Sequence, residues 1–265
     1  MSGAPLAAAV LAQAAKVVPG GGPGAGWAWG FALAFAACAA FQFALWGGVF
    51  GRLYRRLPED GWRPPGTAEG PGPSAEGGPA VSIVVCARNE LGHLRRHLPL
   101  WLDQEGPEHE LLLVDDASTD GSAEWLAGQR HARLRVIRLE EGEKPLPGKK
   151  GALTVGIRAA RAPWLLLTDA DCRPASRCWL AGMADAMRPG VDLVLGVGAT
   201  AGAPGPLNAW VRWETAHTAV QYLGWALSGL PYMGVGRNLA YRKAVWERAG
   251  GFAAHGDWPS GDDDL

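Results

Sequence analysis

Short apolar runs closed by acidic or turn-forming residues recur along the chain after residue 80. They are VSIVVC (81–86), ELLLVDD (110–116), LRVIRLE (134–140), PWLLLTDAD (163–171) and VDLVLGV (191–197). Runs of this length, rich in Val, Ile and Leu and bounded by turn signals, predict buried strands of a parallel sheet. Between them the period changes. Leu91, Leu94, Leu98 and Leu102 recur at helical spacing after Asn89, a predicted N-cap. Further helices are predicted from about Ala123, after STDGS, over Gly151 to Ala162, and after Pro174. Strands alternating with helices define an α/β domain with a mostly parallel sheet flanked by helices. No internal repeat is visible.

The pattern before residue 80 is different. Trp27 to Phe50 is an uncharged run of 24 residues whose one strongly polar side chain is Gln42. As a helix it is about 36 Å long, against about 30 Å for a hydrocarbon core. Trp27, Trp29 and Trp46 lie near its ends, where interfacial anchors sit. A core helix would carry a polar stripe and a signal segment would be shorter, so a transmembrane helix is expected. Arg52, Arg55, Arg56 and Arg63 follow it, whereas only Lys16 and the amino terminus precede it. The positive-inside rule then predicts a single-pass protein of the cell membrane with its C-terminal side in the cytoplasm. From Pro58 to Ala80, 12 of 23 residues are Gly or Pro, which predicts a tether. The expected organisation is a tail (1–26), a transmembrane helix (27–50), a linker (51–80) and the α/β domain (81–265).

Charge narrows the function. Twenty-five Lys and Arg balance 26 Asp and Glu, a net charge of −1, so no basic field favours nucleic acid as a partner. The four cysteines, Cys38, Cys86, Cys172 and Cys178, form no CxxC pair, so neither a disulfide scaffold nor a structural zinc site is expected. GGGPGAG (20–26) matches GxGxxG spacing but follows no strand, and LPGKKGAL (146–153) lacks the spacing and the Ser or Thr of a P-loop.

In open parallel sheets, ligands bind outside the carboxyl ends of the strands. The residues there are Ala87, Arg88, Asn89 and Glu90 after the first run, Asp115 and Asp116 in the second, and Asp169 and Asp171 in the fourth. Two carboxylates one residue apart at a strand end can converge on a hard divalent cation, which is normally held by one or two carboxylates plus phosphate oxygens. They can equally cap helices or face water. A strand-end carboxylate such as Asp115 or Asp116 is a suitable acceptor for a nucleobase ring N–H, and Lys149, near a helix start, can meet diphosphate oxygens.

The ordered series CARNE, VDDASTDGS, GKKGAL, LLLTDADC, GVGRNLAYR and SGDDDL resembles family 2 glycosyltransferases of the GT-A fold, with the nearest look to membrane-anchored bacterial members. The resemblance covers essentially all of 81–265. It implies that Ala87, Arg88 and Glu90 line the nucleotide pocket, that Asp115 and Asp116 lie in it with Asp116 on uracil, and that Lys149 lies near the nucleotide. Asp169 and Asp171 would hold ribose, diphosphate and Mg²⁺ or Mn²⁺. Arg237 and Asn238 would face donor sugar and acceptor. Asp262 and Asp263 match the family's acidic motif, with Asp263 the catalytic base. The implied reaction is inverting transfer of a sugar from a nucleotide-diphosphate donor, a UDP-sugar, to a hydroxyl on a glycolipid or polysaccharide.

Similar proteins continue beyond the acidic motif with an acceptor-site helix and further membrane helices, and this sequence stops at Leu265. A truncated, membrane-tethered nucleotide-sugar-binding module is therefore the alternative expectation. A nucleotidyltransferase would need a Gly-rich, Arg-containing loop after the first strand, which Cys86 to Glu90 lacks. Leu207 to Leu230 carries Trp210, Trp213, Tyr222 and Trp225; the stripe reads first as a core helix, with an interfacial helix as the other reading.

Overall fold

The computed structural model of the chain describes residues 25–56 and 78–256. The tail before Ala25, the middle of the linker and the acidic segment with Asp262 and Asp263 lie outside the described residues. The chain divides into two compact units, Met1–Leu57 with Leu223–Pro231, and Pro58–Tyr222 with Tyr232–Leu265.

In the smaller unit, helix α1 (Ala25–Leu45) passes through one π-helical turn, Trp46–Phe50, into α2 (Gly51–Arg56). The stretch Trp29–Leu53, 25 residues, is long and apolar enough to cross a membrane by length and composition. Phe31, Phe35, Phe41 and Phe43 are all exposed on it, unlike the side chains of a soluble core helix.

The larger unit is built on one six-stranded sheet. Its strands are β1 (Val81–Ala87), β2 (His109–Asp116), β3 (Leu134–Leu139), β4 (Trp164–Asp169), β5 (Leu193–Leu195) and β6 (Leu239–Arg242). The order is β3-β2-β1-β4-β6-β5. β1 pairs in parallel with β2 and β4, and β2 with β3, whereas β6 runs antiparallel to both β4 and β5. The described helices of this part are α3 (Leu91–Leu102), α4 (Ser122–Ala127), α5 (Gly148–Ala159), α6 (Trp179–Ala184), α7 (Pro206–Leu227) and α8 (Lys243–Arg248). The alternation predicted from sequence holds. Strand β6 was not predicted, and α5 begins at Gly148 rather than Gly151.

Strand alternation sorts the side chains into two cores. Val81, Ile83, Val85, Leu111, Leu113 and Leu166 pack with Leu94, Leu98 and Trp101 of α3 and Leu180 of α6. Val84, Leu112, Leu165 and Leu167 face the opposite way, onto Leu153 and Ile157 of α5 and Trp246 of α8. Fully burying each such aliphatic side chain contributes about 1.5–3 kcal/mol. Helix α5 approaches the sheet closely at Gly156, where a Cβ would collide with the Val84 and Val114 side chains.

The register lines up the strand ends. Cys86 is level with Asp169, Ala87 with Asp115, and Asp116 with Leu139. At the other end of the sheet, Glu110 is buried and fully engaged. It accepts from Ser82 Oγ (2.7 Å), Arg135 Nη1 (2.9 Å) and the Arg161 N–H (2.7 Å). Burial alone would raise its pKa, but these three donors outweigh it and hold the carboxyl below its ordinary value.

Candidate functional site

Because successive side chains alternate, Asp115 and Asp116 cannot share a face. Asp115 continues the Leu111–Leu113 row towards α3 and α4. There it lines an open cavity of about 430 Å³ with Leu126, His131 and Arg138. Burial pushes its carboxyl above the usual range against the pull of Ser118. Asp116 continues the Leu112–Val114 row towards α5 and forms an ion pair with Lys144, Nζ to Oδ1 2.9 Å, both side chains nearly buried (11% and 7% exposed). Asp169 follows Leu165 and Leu167 on that same face and accepts from Lys149 Nζ at 2.6 Å. Asp116 and Asp169 thus face the start of α5 together, and Asp115 does not join them.

The loop after β4 gathers the other predicted acid. One donor atom each from Asp169, Asp171 and Cys172 lie within 4.8 Å of one another. The Cys172 N–H donates to Asp169 O (3.0 Å), and its thiol donates to Asp171 Oδ1 (3.3 Å). Burial first, and Asp171 second, push that thiol up to about 12, so the cluster offers two carboxylates and a protonated sulfur. Two oxygen donors at an accessible strand end suit Mg²⁺ or Mn²⁺ with substrate oxygens completing the shell. His97 of α3, buried, donates from Nδ1 to the Ala170 carbonyl (3.0 Å) and so pins the loop between the two aspartates.

The first strand's residues are spread around the rim. Ala87 is buried at the end of β1. Arg88 pairs with Glu141 (3.0 Å) in an exposed contact. Asn89 is not the N-cap of α3: its φ is +59°, and its Oδ1 accepts the Thr119 N–H (2.7 Å) while its own N–H reaches Ser118 Oγ (2.9 Å). It ties the first loop to the second instead. Glu90 occupies the cap position, without a side-chain capping bond, and its carboxylate meets His93 Nδ1 at 2.6 Å.

The GVGRN segment comes to the same place. Gly236 lines a small crevice with Lys149, Thr168 and Asp169. Arg237 crosses Gly198, leaving no room for a Cβ there, and its charge acts on both Cys172 and Tyr222. Asn238 is committed elsewhere. It accepts from Trp179 Nε1 (3.0 Å) and donates to Val197 O (3.0 Å), clamping α6 to the end of β5. In this arrangement the Asn238 amide holds two parts of the fold together.

Two residues of the site escaped the sequence reading. Lys144 precedes α5 in a polar stretch with no period to mark it, and its proximity to Asp116 exists only in three dimensions. His97 sits at an ordinary core position of α3. Asp262 and Asp263 lie outside the described residues.

Residues 82–248 match the model of glycosyl transferase family 2, and the chain belongs to that family. Among curated relatives, the succinoglycan biosynthesis protein ExoO of Rhizobium meliloti (strain 1021) is 34% identical over 99 residues, 37% of this chain and 27% of that protein. A beta-monoglucosyldiacylglycerol synthase of Synechocystis sp. (strain ATCC 27184 / PCC 6803 / Kazusa) is 34% identical over 98 residues, 35% of this chain and 20% of its own length. The matched part is therefore a minor share of either relative. The mannosyltransferase PcManGT from Pyrobaculum calidifontis, solved with GDP-Man and Mn²⁺, superposes with a TM-score of 0.53 at 24% identity, covering 86% of this chain and 61% of that one. That likeness establishes the GT-A fold.

Proposed function

We propose that the chain transfers a sugar, with inversion, from a UDP-sugar to a hydroxyl of a lipid or glycan acceptor. It does so on the cytoplasmic side of a membrane that α1 spans, with Mg²⁺ or Mn²⁺. The observation that carries this reading is the convergence of Asp116–Lys144 and Asp169–Lys149 on one face of the sheet, at the carboxyl ends of β2 and β4. The Asp116 carboxylate accepts a base ring N–H, and the Lys144 ammonium beside it donates to a neighbouring base carbonyl. Uracil presents both groups side by side.

Lys149 meets the diphosphate at the first turn of α5, where backbone N–H groups also favour an anion. Asp169 and Asp171 hold the divalent cation, which when bound neutralises charge on the leaving diphosphate as a Lewis acid. The acceptor oxygen attacks the anomeric carbon as the bond to the diphosphate oxygen breaks. The hydroxyl proton passes to Asp263, with Asp262 beside it orienting the acceptor, and Lys149 takes up part of the charge on the departing UDP. The mannosyltransferase complex with GDP-Man and Mn²⁺ supports a metal-dependent nucleotide-sugar site, and the glucosyldiacylglycerol synthase supports a lipid acceptor.

Titration of UDP with and without Mn²⁺ tests the reading. Wild-type protein should bind more tightly with the metal, and Asp171→Ala should abolish that increment while leaving the fold intact. Equal Mn²⁺-dependent affinity in the variant would remove the metal assignment. A sugar-transfer assay beside it separates an enzyme from a tethered binding module, which would bind UDP and transfer nothing.

A further inference from the structure

Helix α7 is not the core helix that its aromatic stripe predicts. On its run through the larger unit, only Thr215, Ala219 and Tyr222 are buried, a narrow i, i+4, i+7 seam. Thr215 and Tyr222 fasten that seam through hydrogen bonds to Thr200 (3.1 Å) and the Gly196 carbonyl (2.7 Å). The other side is apolar and open. Leu207, Trp210 and Trp213 are 75%, 63% and 56% exposed. Trp210 and Trp213 lie 5.2 Å apart between ring centroids, and Trp213 stacks on His217 at 5.2 Å and 6°. At about 100° per residue, this ladder falls on the side opposite the buried seam.

A soluble surface rarely presents a contiguous apolar patch of this kind without a partner. Its chemistry selects among partners. The whole helix carries one Arg and one Glu, Arg212 and Glu214, so it offers an ionic partner no net charge. Tryptophan, with an apolar body and one N–H, is the residue enriched at the level of lipid headgroups. The helix also leads to the membrane-length segment. From Leu223 it belongs to the unit that holds α1, where Gly224 lies so close to the Phe50 ring that a Cβ would collide with it.

We propose that the first half of α7 is a second, monotopic membrane contact, with Trp210 and Trp213 seated among lipid headgroups. It rests on the membrane-anchored reading above. The test uses the full chain with Cys38, Cys86, Cys172 and Cys178 replaced by Ser and one reporter cysteine carrying an environment-sensitive fluorophore. Leu207→Cys reports on the patch, Phe35→Cys on α1, and Arg130→Cys on exposed surface of the catalytic domain.

In vesicles of phosphatidylcholine and phosphatidylglycerol, the probe at 207 should shift to the blue. It should be quenched more by nitroxides near the headgroups than by nitroxides deep in the acyl chains, and the probe at 130 should remain open to aqueous iodide. If 35 lies in lipid while 207 is quenched by iodide as fully as 130, the patch does not touch the membrane and the proposal fails. If 35 is also in water, the anchored reading fails and the proposal with it. Shielding of 207 that grows with protein concentration in the absence of vesicles would assign the face to a second copy and overturn the membrane contact.

Discussion

The two ends of the parallel sheet treat charge in opposite ways. At the amino ends, Glu110 is enclosed by three donors, Ser82, Arg135 and the Arg161 N–H. At the carboxyl ends, Asp116 and Asp169 each hold a lysine, and Asp171 stands at the exposed lip of the β4 loop. The lysine pairs differ from each other too. Lys144–Asp116 is nearly buried, so separating its partners is costly. Lys149–Asp169 is 40% and 33% exposed, and such pairs are worth only about 0–1 kcal/mol. In the proposed site the Asp116 end would then be preformed and the Asp169 end exchangeable, since Lys149 could leave Asp169 for a phosphate with little penalty. One end of the sheet locks its carboxylate among three donors, and the other pairs its carboxylates with single lysines.

The largest expected effect is purely chemical and concerns the proposed base. Asp263→Asn should lower kcat by about 10²–10⁴-fold with donor KM and thermal stability nearly unchanged, since the swap removes a proton acceptor and little else. Steady-state kinetics beside a melting curve check it, and a matching collapse in Tm would move Asp263 into the structural class. Next comes the amino end. Glu110→Ala leaves Ser82, Arg135 and the Arg161 N–H without their shared acceptor and should destabilise the protein by about 3 kcal/mol, read by denaturant unfolding. UDP affinity measured below the transition should not change; if it fell in proportion, the two ends would not be separable.

A smaller effect is expected for Lys149→Ala. Losing an exposed pair should shift stability by less than about 1 kcal/mol but weaken UDP binding roughly tenfold, the size of one charge-assisted hydrogen bond. Isothermal titration decides, and an unchanged Kd would take Lys149 out of the diphosphate site. The smallest effect concerns pH. Glu110 has a folded pKa below its unfolded one, so its contribution is fully present above the unfolded value and is lost as pH falls through the folded value. Asp115, whose folded pKa is raised, acts with the opposite sign: its ionised form costs stability, and protonation on acidification relieves that cost. Glu110→Gln should therefore flatten the fall in stability on acidification through the carboxylate range, and Asp115→Asn should steepen it.

Much of this was legible in the chain. Uninterrupted Val, Ile and Leu runs define β1, β2 and β4 because strands buried on both faces need no polar alternation. The acidic residues at their ends follow from the strands' direction. Strand β6 carries no strand signal in the sequence because Leu239–Arg242 is only four residues long and ends in Arg. Asn238 has the identity of a ligand-binding residue, and only the fold shows its amide occupied by Trp179 and Val197. Lys144 and His97 act across chain separations of 28 and 73 residues, which no local period records. Helix α7 misled for the reverse reason: apolar periodicity reports that a face avoids water, not what covers it.

The strand register carries a consequence for the kinds of genetic change the site survives. Cys86 stands level with Asp169, and Ala87 with Asp115, through continuous parallel pairing. A substitution within β2 or β4 alters one contact. Deleting a single codon there would displace the terminal carboxylate by about 3.3 Å and turn it to the opposite face. Asp116 would leave Lys144 for the side of Asp115, or Asp169 would leave Lys149 for the far core. In the strands, then, variation should accumulate as replacements, with changes of length confined to the loops between them.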